Sequence, residues 1–272
     1  MVHYQKNINT NNKSTVSAVS MQYQRKRILL YIIAGLSLSA LISWALFDIP
    51  VAKWLHQHPI KWTNTWCALG IRQLGKAWGI IWLLLLWAAV THRTRPVTTS
   101  ILALLLSMTL VLPLKVITNR TRPARALIQN DTQNHNNTAS AYSFPSGDTS
   151  TVFAVTGVLI YALNLRTWII CLSVSTLIGL MRIFILAHYV SDVCTGAAIG
   201  LLCAYLALVI DQNCKFDSSI LDKKAKFLYM AVLILPILWL IEGTDPILYF
   251  MSTIGIIALA WAAAIISQKA IL

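Results

Sequence analysis

Three stretches far apart in the sequence carry side chains suited to holding and transferring a phosphoryl group. Lys115, Arg122 and Arg182 supply three cations, and a guanidinium can bind two phosphate oxygens at once. Ser146 and Gly147 follow Pro145 where an apolar stretch opens, so their backbone N–H groups fall at a predicted helix N-terminus, a natural anion site. His188 and Asp192 are four positions apart, hence on one predicted helical face, where the carboxylate can fix the imidazole tautomer and stabilise its charged form. A histidine so oriented beside a cationic pocket is suited to accept a phosphoryl group as a nucleophile. The nine acidic residues form no cluster with metal-ligand spacing, which disfavours a Mg²⁺-dependent mechanism; no metal or cofactor is expected.

The elements that position these residues are read from apolar runs of about 20 residues, the length that crosses a bilayer. Runs at 28–47, 97–117, 149–163, 168–187 and 190–210 predict five spans. A shorter run at 77–90, with its helix beginning near Leu69, predicts another, and 227–241 with 247–266 predicts a closing hairpin. That gives about eight spans in an all-α, polytopic membrane bundle. Residues 48–76, with Trp54, Trp62 and Trp66 among Lys and His, read as an interfacial amphipathic segment. Residues 1–24 are Asn-, Thr-, Ser- and Gln-rich and predict a disordered tail without a cleavable signal peptide. The chain then divides into that tail, a transmembrane catalytic domain at 25–212 and the hairpin region at 213–272.

Composition agrees: of 272 residues, 57% are hydrophobic and only 11% charged, and the mean hydropathy is +0.66. A soluble domain carries about 25% charged residues. The formal net charge of +13 would suggest nucleic acid in a soluble chain. Here it is a matter of topology, and no nucleic-acid partner is expected. With the N-terminus cytoplasmic, the inside connections hold Arg25, Lys26, Arg27, Arg93, Arg95 and Arg166, as the positive-inside rule requires. Arg120, Arg122 and Arg125 lie outside and break that trend. The end of the 97–117 span, the start of the 149–163 span and the 187–190 junction then share the outer face, so the three stretches converge there. Ionisable groups at membrane depth mark functional sites. The cysteines form no C-x-x-C pair and read as small buried hydrophobes.

Lys115-x6-Arg122-Pro123, then Pro145-Ser146-Gly147-Asp148, then Arg182-x5-His188-x3-Asp192 resembles the three-part signature of the type 2 phosphatidic acid phosphatase (PAP2) superfamily, over about residues 30–210. Within it the chain looks like the membrane lipid phosphatases, which include phosphatidylglycerophosphate, undecaprenyl-diphosphate and lipid A phosphatases. The resemblance implies a six-helix core with the hairpin appended, a metal-free site at the outer leaflet, and residence in the bacterial cytoplasmic (inner) membrane. It implies His188 as the nucleophile forming a phosphohistidine, with Asp192 orienting it and water as the final acceptor. Lys115, Arg122, Arg182, Ser146 and Gly147 would bind the phosphoryl group of a membrane lipid phosphate or diphosphate.

Two positions depart from the signature: Asp148 stands where the superfamily has the His that protonates the leaving group, and Met181 where it has Ser. An Asp among cations is ionised at neutral pH and is a poor general acid. Three solutions stay open: Asp148 gains a proton when the phosphate dianion binds, His135 in the polar loop supplies one, or the leaving group is good. Alternative functions are a lipid phosphotransferase using the same intermediate, or a non-catalytic lipid-phosphate-binding or transport protein.

Overall fold

The computed structural model describes residues 2–61, 95–127, 142–162 and 165–214, together with 75–77, 79–81, 83, 84 and 87. The expected span at 77–90 is thus described only in part. The hairpin at 213–272, the loop at 129–140 with His135, and Trp62 and Trp66 lie outside the described residues, apart from the last residues of the final core helix.

Helix α1 runs over Val2–Leu46 and takes in the stretch expected as a disordered tail. There is no Gly or Pro before Gly35, so nothing in the local sequence stops the helix of the first span from propagating toward the N-terminus. It ends before Pro50, whose ring would clash with the Leu46 carbonyl in a continuous helix. Pro50 instead occupies the first turn of α2 (Asp48–Gln57), the described part of the expected interfacial segment. Trp54 of α2 is exposed and stacks on His58.

Helices α3 (Arg95–Thr118), α4 (Pro123–Leu127), α5 (Gly147–Ala162), α6 (Leu165–Phe184) and α7 (Val190–Cys214) complete the described bundle. The segments Gln24–Leu46, Arg95–Thr118 and Val190–Asn213 are long and apolar enough to cross a membrane, and Trp168–Phe184 is a shorter apolar helix. The five expected spans coincide with α1, α3, α5, α6 and α7. The fold is all-α; among the described residues the only β-type pairing is an isolated Thr121–Tyr142 bridge.

Helix α5 is the centre, packed against α3, α6 and α7, with α1 laid on α7. The α5–α7 crossing is made of small residues, as membrane interfaces without a hydrophobic driving force require. A Cβ added to Gly200 would lie 2.3 Å from the Ser150 carbonyl oxygen, one on Gly196 2.5 Å from that of Ser146, and one on Gly157 2.5 Å from the Ala204 Cβ. Hydroxyl pairs tie the other contacts: Ser107 to Ser150 and Thr156 to Ser175, each at 2.6 Å. Leucines and isoleucines such as Leu38, Leu41, Leu105, Leu112, Ile169 and Ile170 face outward from the bundle.

Both ends of the bundle carry basic residues, in different company. At one end Arg25 donates to the carbonyls of α5's last turn, Lys26 to Gln212, and Arg95 pairs with Asp211 at 3.1 Å. At the other end, the C-termini of α3 and α6 meet the N-termini of α5 and α7. The candidate site lies there.

Candidate active site

Each motif is placed by a helix terminus. Helix α3 delivers Lys115 in its last turn and closes at Asn119 with φ of 46°, a left-handed cap that Asn tolerates. Pro123 opens α4, where its missing N–H costs nothing and its ring is buried, and Ala124 N–H donates to Leu186 O at 3.1 Å. Arg122 is thereby held between α3 and the turn after α6.

The turn after α6 carries Leu186 at φ 55°, a conformation costing a non-glycine residue about 1–2 kcal/mol. It is stabilised by the Arg182 carbonyl, which accepts the N–H groups of both Ala187 and His188 at 3.1 and 3.2 Å. The six-residue step from Arg182 to His188 is therefore a wrapped helix end that brings the two side chains to one place.

His188 is buried, and its Nδ1 lies 2.6 Å from the Ser143 carbonyl oxygen. A carbonyl only accepts, so Nδ1 carries the proton and Nε2 keeps its lone pair. Asp192, expected to orient this histidine, keeps its Oδ2 3.7 Å from Nδ1, so the closer contact to Nδ1 is the Ser143 carbonyl. The carboxylate is taken instead by the Tyr189 N–H at 2.8 Å and by Arg120 at 2.8 Å. Burial is the largest influence on the imidazole and pulls its pKa below the ordinary 6.5, with Lys115 and Arg122 acting in the same direction and Asp192 opposing.

The segment bearing Ser143 is itself clamped. Ser143 N–H donates to Arg120 O at 2.8 Å, Thr118 Oγ1 to Phe144 O at 3.1 Å, and Lys115 Nζ to Tyr142 O at 3.0 Å.

The phosphate-binding candidates come together around this histidine. Lys115 lies in the field of Arg122, Asp192 and Asp148, and Arg122 in that of Asp148 and Asp192. Arg182 forms a short ion pair with Asp148. Gly147 lies beside the Lys115 stem, an added Cβ being 3.9 Å from Lys115 Cε, an ordinary van der Waals contact. The Ser146 N–H donates to Asp192 O at 3.0 Å and its hydroxyl pairs with Thr149 at 2.8 Å. Its backbone therefore joins α5 to α7, and the N–H groups of the next residues, without acceptors inside α5, are the ones left for an anion.

Three contributors escape the sequence motifs. Asp48, 1% exposed at the start of α2, accepts from the Ser191 N–H at 2.9 Å, from the Ser191 hydroxyl and from Arg120 at 2.7 Å. Arg120 is sandwiched between the rings of Trp44 and Tyr189, 3.9 and 4.0 Å away, so it is an internal strut and not a contact for lipid headgroups. Gly75 approaches from a further segment: its carbonyl accepts from Thr151 at 3.1 Å, and an added Cβ would lie 3.4 Å from the Arg182 guanidinium. Among the described residues no group of three or more His, Cys, Asp or Glu is placed to hold a metal ion.

Residues 96–216, which contain all three motifs, match the sequence family described as the PAP2 superfamily. Aquifex aeolicus LpxE, known from a crystal structure, is 32% identical in a match covering 51% of this chain and 81% of that one, with a TM-score of 0.42. The chain belongs to the PAP2 superfamily. A second solved structure, the first transmembrane PAP2 type phosphatidylglycerolphosphate phosphatase from Bacillus subtilis, is 21% identical, covers 70% of this chain and 96% of its own, and has a TM-score of 0.50, a likeness of fold. No curated protein matches. Against the PAP2 signature the two departures have distinct surroundings: Met181 is fully buried on α6, whereas Asp148 is one-third exposed on its side chain and faces Arg182.

Proposed function

We propose that the protein is an integral membrane phosphatase that hydrolyses a lipid phosphate or diphosphate through a phosphohistidine at His188. One observation carries the reading: a buried imidazole whose Nδ1 is occupied by the Ser143 carbonyl, leaving Nε2 as nucleophile among Lys115, Arg122 and Arg182. Membership of the PAP2 superfamily supports it.

In this mechanism the three cations and the first N–H groups of α5 hold the phosphoryl oxygens. Nε2 attacks phosphorus, an N–P bond forms, and the P–O bond to the lipid breaks as the lipid oxygen takes a proton. Water then attacks the same phosphorus and gives up a proton to the group that protonated the lipid oxygen, the N–P electron pair returns to Nε2, and inorganic phosphate leaves. No metal is required for either step. Asp148 is the donor candidate by position. It is ion-paired with Arg182, and an arriving phosphate dianion competes with it for that guanidinium.

In this reading the end bearing Arg25, Lys26 and Arg95 is cytoplasmic and the site lies at the outer face of a bacterial cytoplasmic membrane; the basic residues clustered beside the first span support it. The test is phosphate release by the purified protein from a panel of phosphatidic acid, phosphatidylglycerophosphate, undecaprenyl diphosphate and lipid A, with His188→Ala as control. Release from at least one lipid that the control lacks is expected. No release from any, or equal release by His188→Ala, overturns the reading. Label appearing on a second lipid instead of in inorganic phosphate would identify a transferase.

A further inference from the structure

The phosphatase reading leaves unexplained why a fully buried carboxylate from α2 and an arginine outside the signature share one network with Asp192. Arg120 spans two carboxylates: Nη2 meets Asp48 Oδ2 at 2.7 Å and Nη1 meets Asp192 Oδ1 at 2.8 Å, with Nη1 also donating to Ser191 Oγ at 2.8 Å. The side chains of both carboxylates are 0% exposed and that of Arg120 15%. Aromatic rings cover both faces of the guanidinium, which holds its plane. Asp48 and His188 also border the same tightly packed junction between α2 and the α6–α7 turn.

We infer that Asp48 and Arg120 are positioning residues for the reaction, a clamp that holds Asp192 against Arg120 and 3.7 Å from His188, so that the imidazole stays neutral and its Nε2 lone pair available. The inference rests on the proposed function, because it assigns a task to residues around that histidine. Two carboxylates and one guanidinium leave one net negative charge. How that charge is divided sets how strongly the imidazolium would be favoured. Seen from His188 the charged surroundings are Asp192 on α7, Lys115 on α3 and Arg122 before α4, with Asp48 on α2, Arg120 after α3, and the Arg182–Asp148 pair of α6 and α5 beyond them.

The clamp predicts shifts of opposite sign. Arg120→Gln frees Asp192 to turn toward His188 and removes a nearby positive charge, so the imidazole protonates more readily. The acid limb of the kcat/KM profile then moves up by about one pH unit. Asp48→Asn keeps the shape and the acceptor for Ser191 N–H but gives the whole guanidinium to Asp192, so the limb moves down. Arg120→Lys restores the limb partway toward wild type. Profiles are measured with the purified full chain and a lipid phosphate from the panel, beside the fraction of folded protein.

Opposed shifts support the clamp. Activity that falls only with the folded fraction while both limbs stay at the wild-type pH overturns it, and so does failure of both variants to fold, which makes the clamp structural support alone. Where His188→Ala is inactive and the limbs are unmoved, the clamp fails and the phosphatase reading stands; where His188→Ala remains active, that reading itself fails.

Discussion

His188 Nδ1 and the Ser143 carbonyl oxygen lie 2.6 Å apart although 45 residues separate them. A backbone acceptor thus decides which nitrogen of the candidate nucleophile is free. The phosphoryl group is expected on Nε2 alone. Rapid quench with labelled substrate followed by tandem mass spectrometry of the peptide bearing His188 reads the position, and an Nδ1 adduct would contradict it. His188→Ala is expected to lose at least about 10³-fold in kcat.

The same histidine sets a pH limit. Its pKa is lowered in the folded state, so Nε2 stays unprotonated below the ordinary 6.5, and the wild-type acid limb lies at a pH under that value once substrate ionisation is corrected for. The stability consequence has a definite sign. The unfolded chain binds this proton first as pH falls, so folded stability is present above about 6.5 and declines as pH drops below it. Thermal melts in detergent from pH 8 to pH 5 should show that decline, and His188→Gln should make it shallower.

Asp148 and Arg182 form the ion pair that a leaving-group proton must pass through or around. Asp148→Ala is expected to cost about 10²-fold in kcat on a lipid alkyl monophosphate, where the departing alkoxide needs a proton. With p-nitrophenyl phosphate, whose leaving group is stable as an anion, the loss should be under tenfold. Equal rates for wild type and variant on the alkyl substrate would remove Asp148 from the mechanism.

Arg122 is held by Pro123 and the Leu186 carbonyl in a fixed place beside His188. Arg122→Ala should lower kcat/KM by about 10²-fold, and Arg122→Lys should recover only part, because an ammonium keeps the charge but not the two-pronged geometry. Competitive inhibition by inorganic phosphate should weaken in parallel; unchanged inhibition would place the arginine outside the phosphate site.

Gly200 has no room for a methyl group, whereas Gly35 on α1 has nothing within 4 Å of an added Cβ. Gly200→Ala should destabilise the protein by about 1–3 kcal/mol through overpacking and lower activity by moving Ser146 relative to Asp192. Gly35→Ala should leave the melting temperature within a degree or two or raise it. Equal melting temperatures for the two variants would contradict the close approach.

The signature residues were legible because their chemistry sits in side-chain type and spacing, and helix ends fix spacing locally. Lys115 ends α3, Gly147 opens α5, and Arg182 and His188 bracket one helix-terminal turn. Ser143 was not legible, since it acts through a carbonyl that every residue possesses. Asp48 was invisible for another reason: its partner Ser191 is 143 positions away, and only tertiary packing pairs them. Arg120 was open between holding phosphate and meeting headgroups, because a sequence does not reveal the rings of Trp44 and Tyr189 around it. Compositional bias at residues 1–24 pointed to disorder, but the stretch contains no helix breaker and α1 runs through it.

The network around Arg120 also has an order in time. Asp48 is synthesised 72 residues before Arg120, and Asp192 a further 72 after it. A nascent chain holding only the first five core segments therefore carries an arginine with Asp48 but without Asp192, and Asp48 itself lacks Ser191. The first turn of the last core helix supplies both, so a chain cut short before Val190 lacks the means to assemble this end of the bundle.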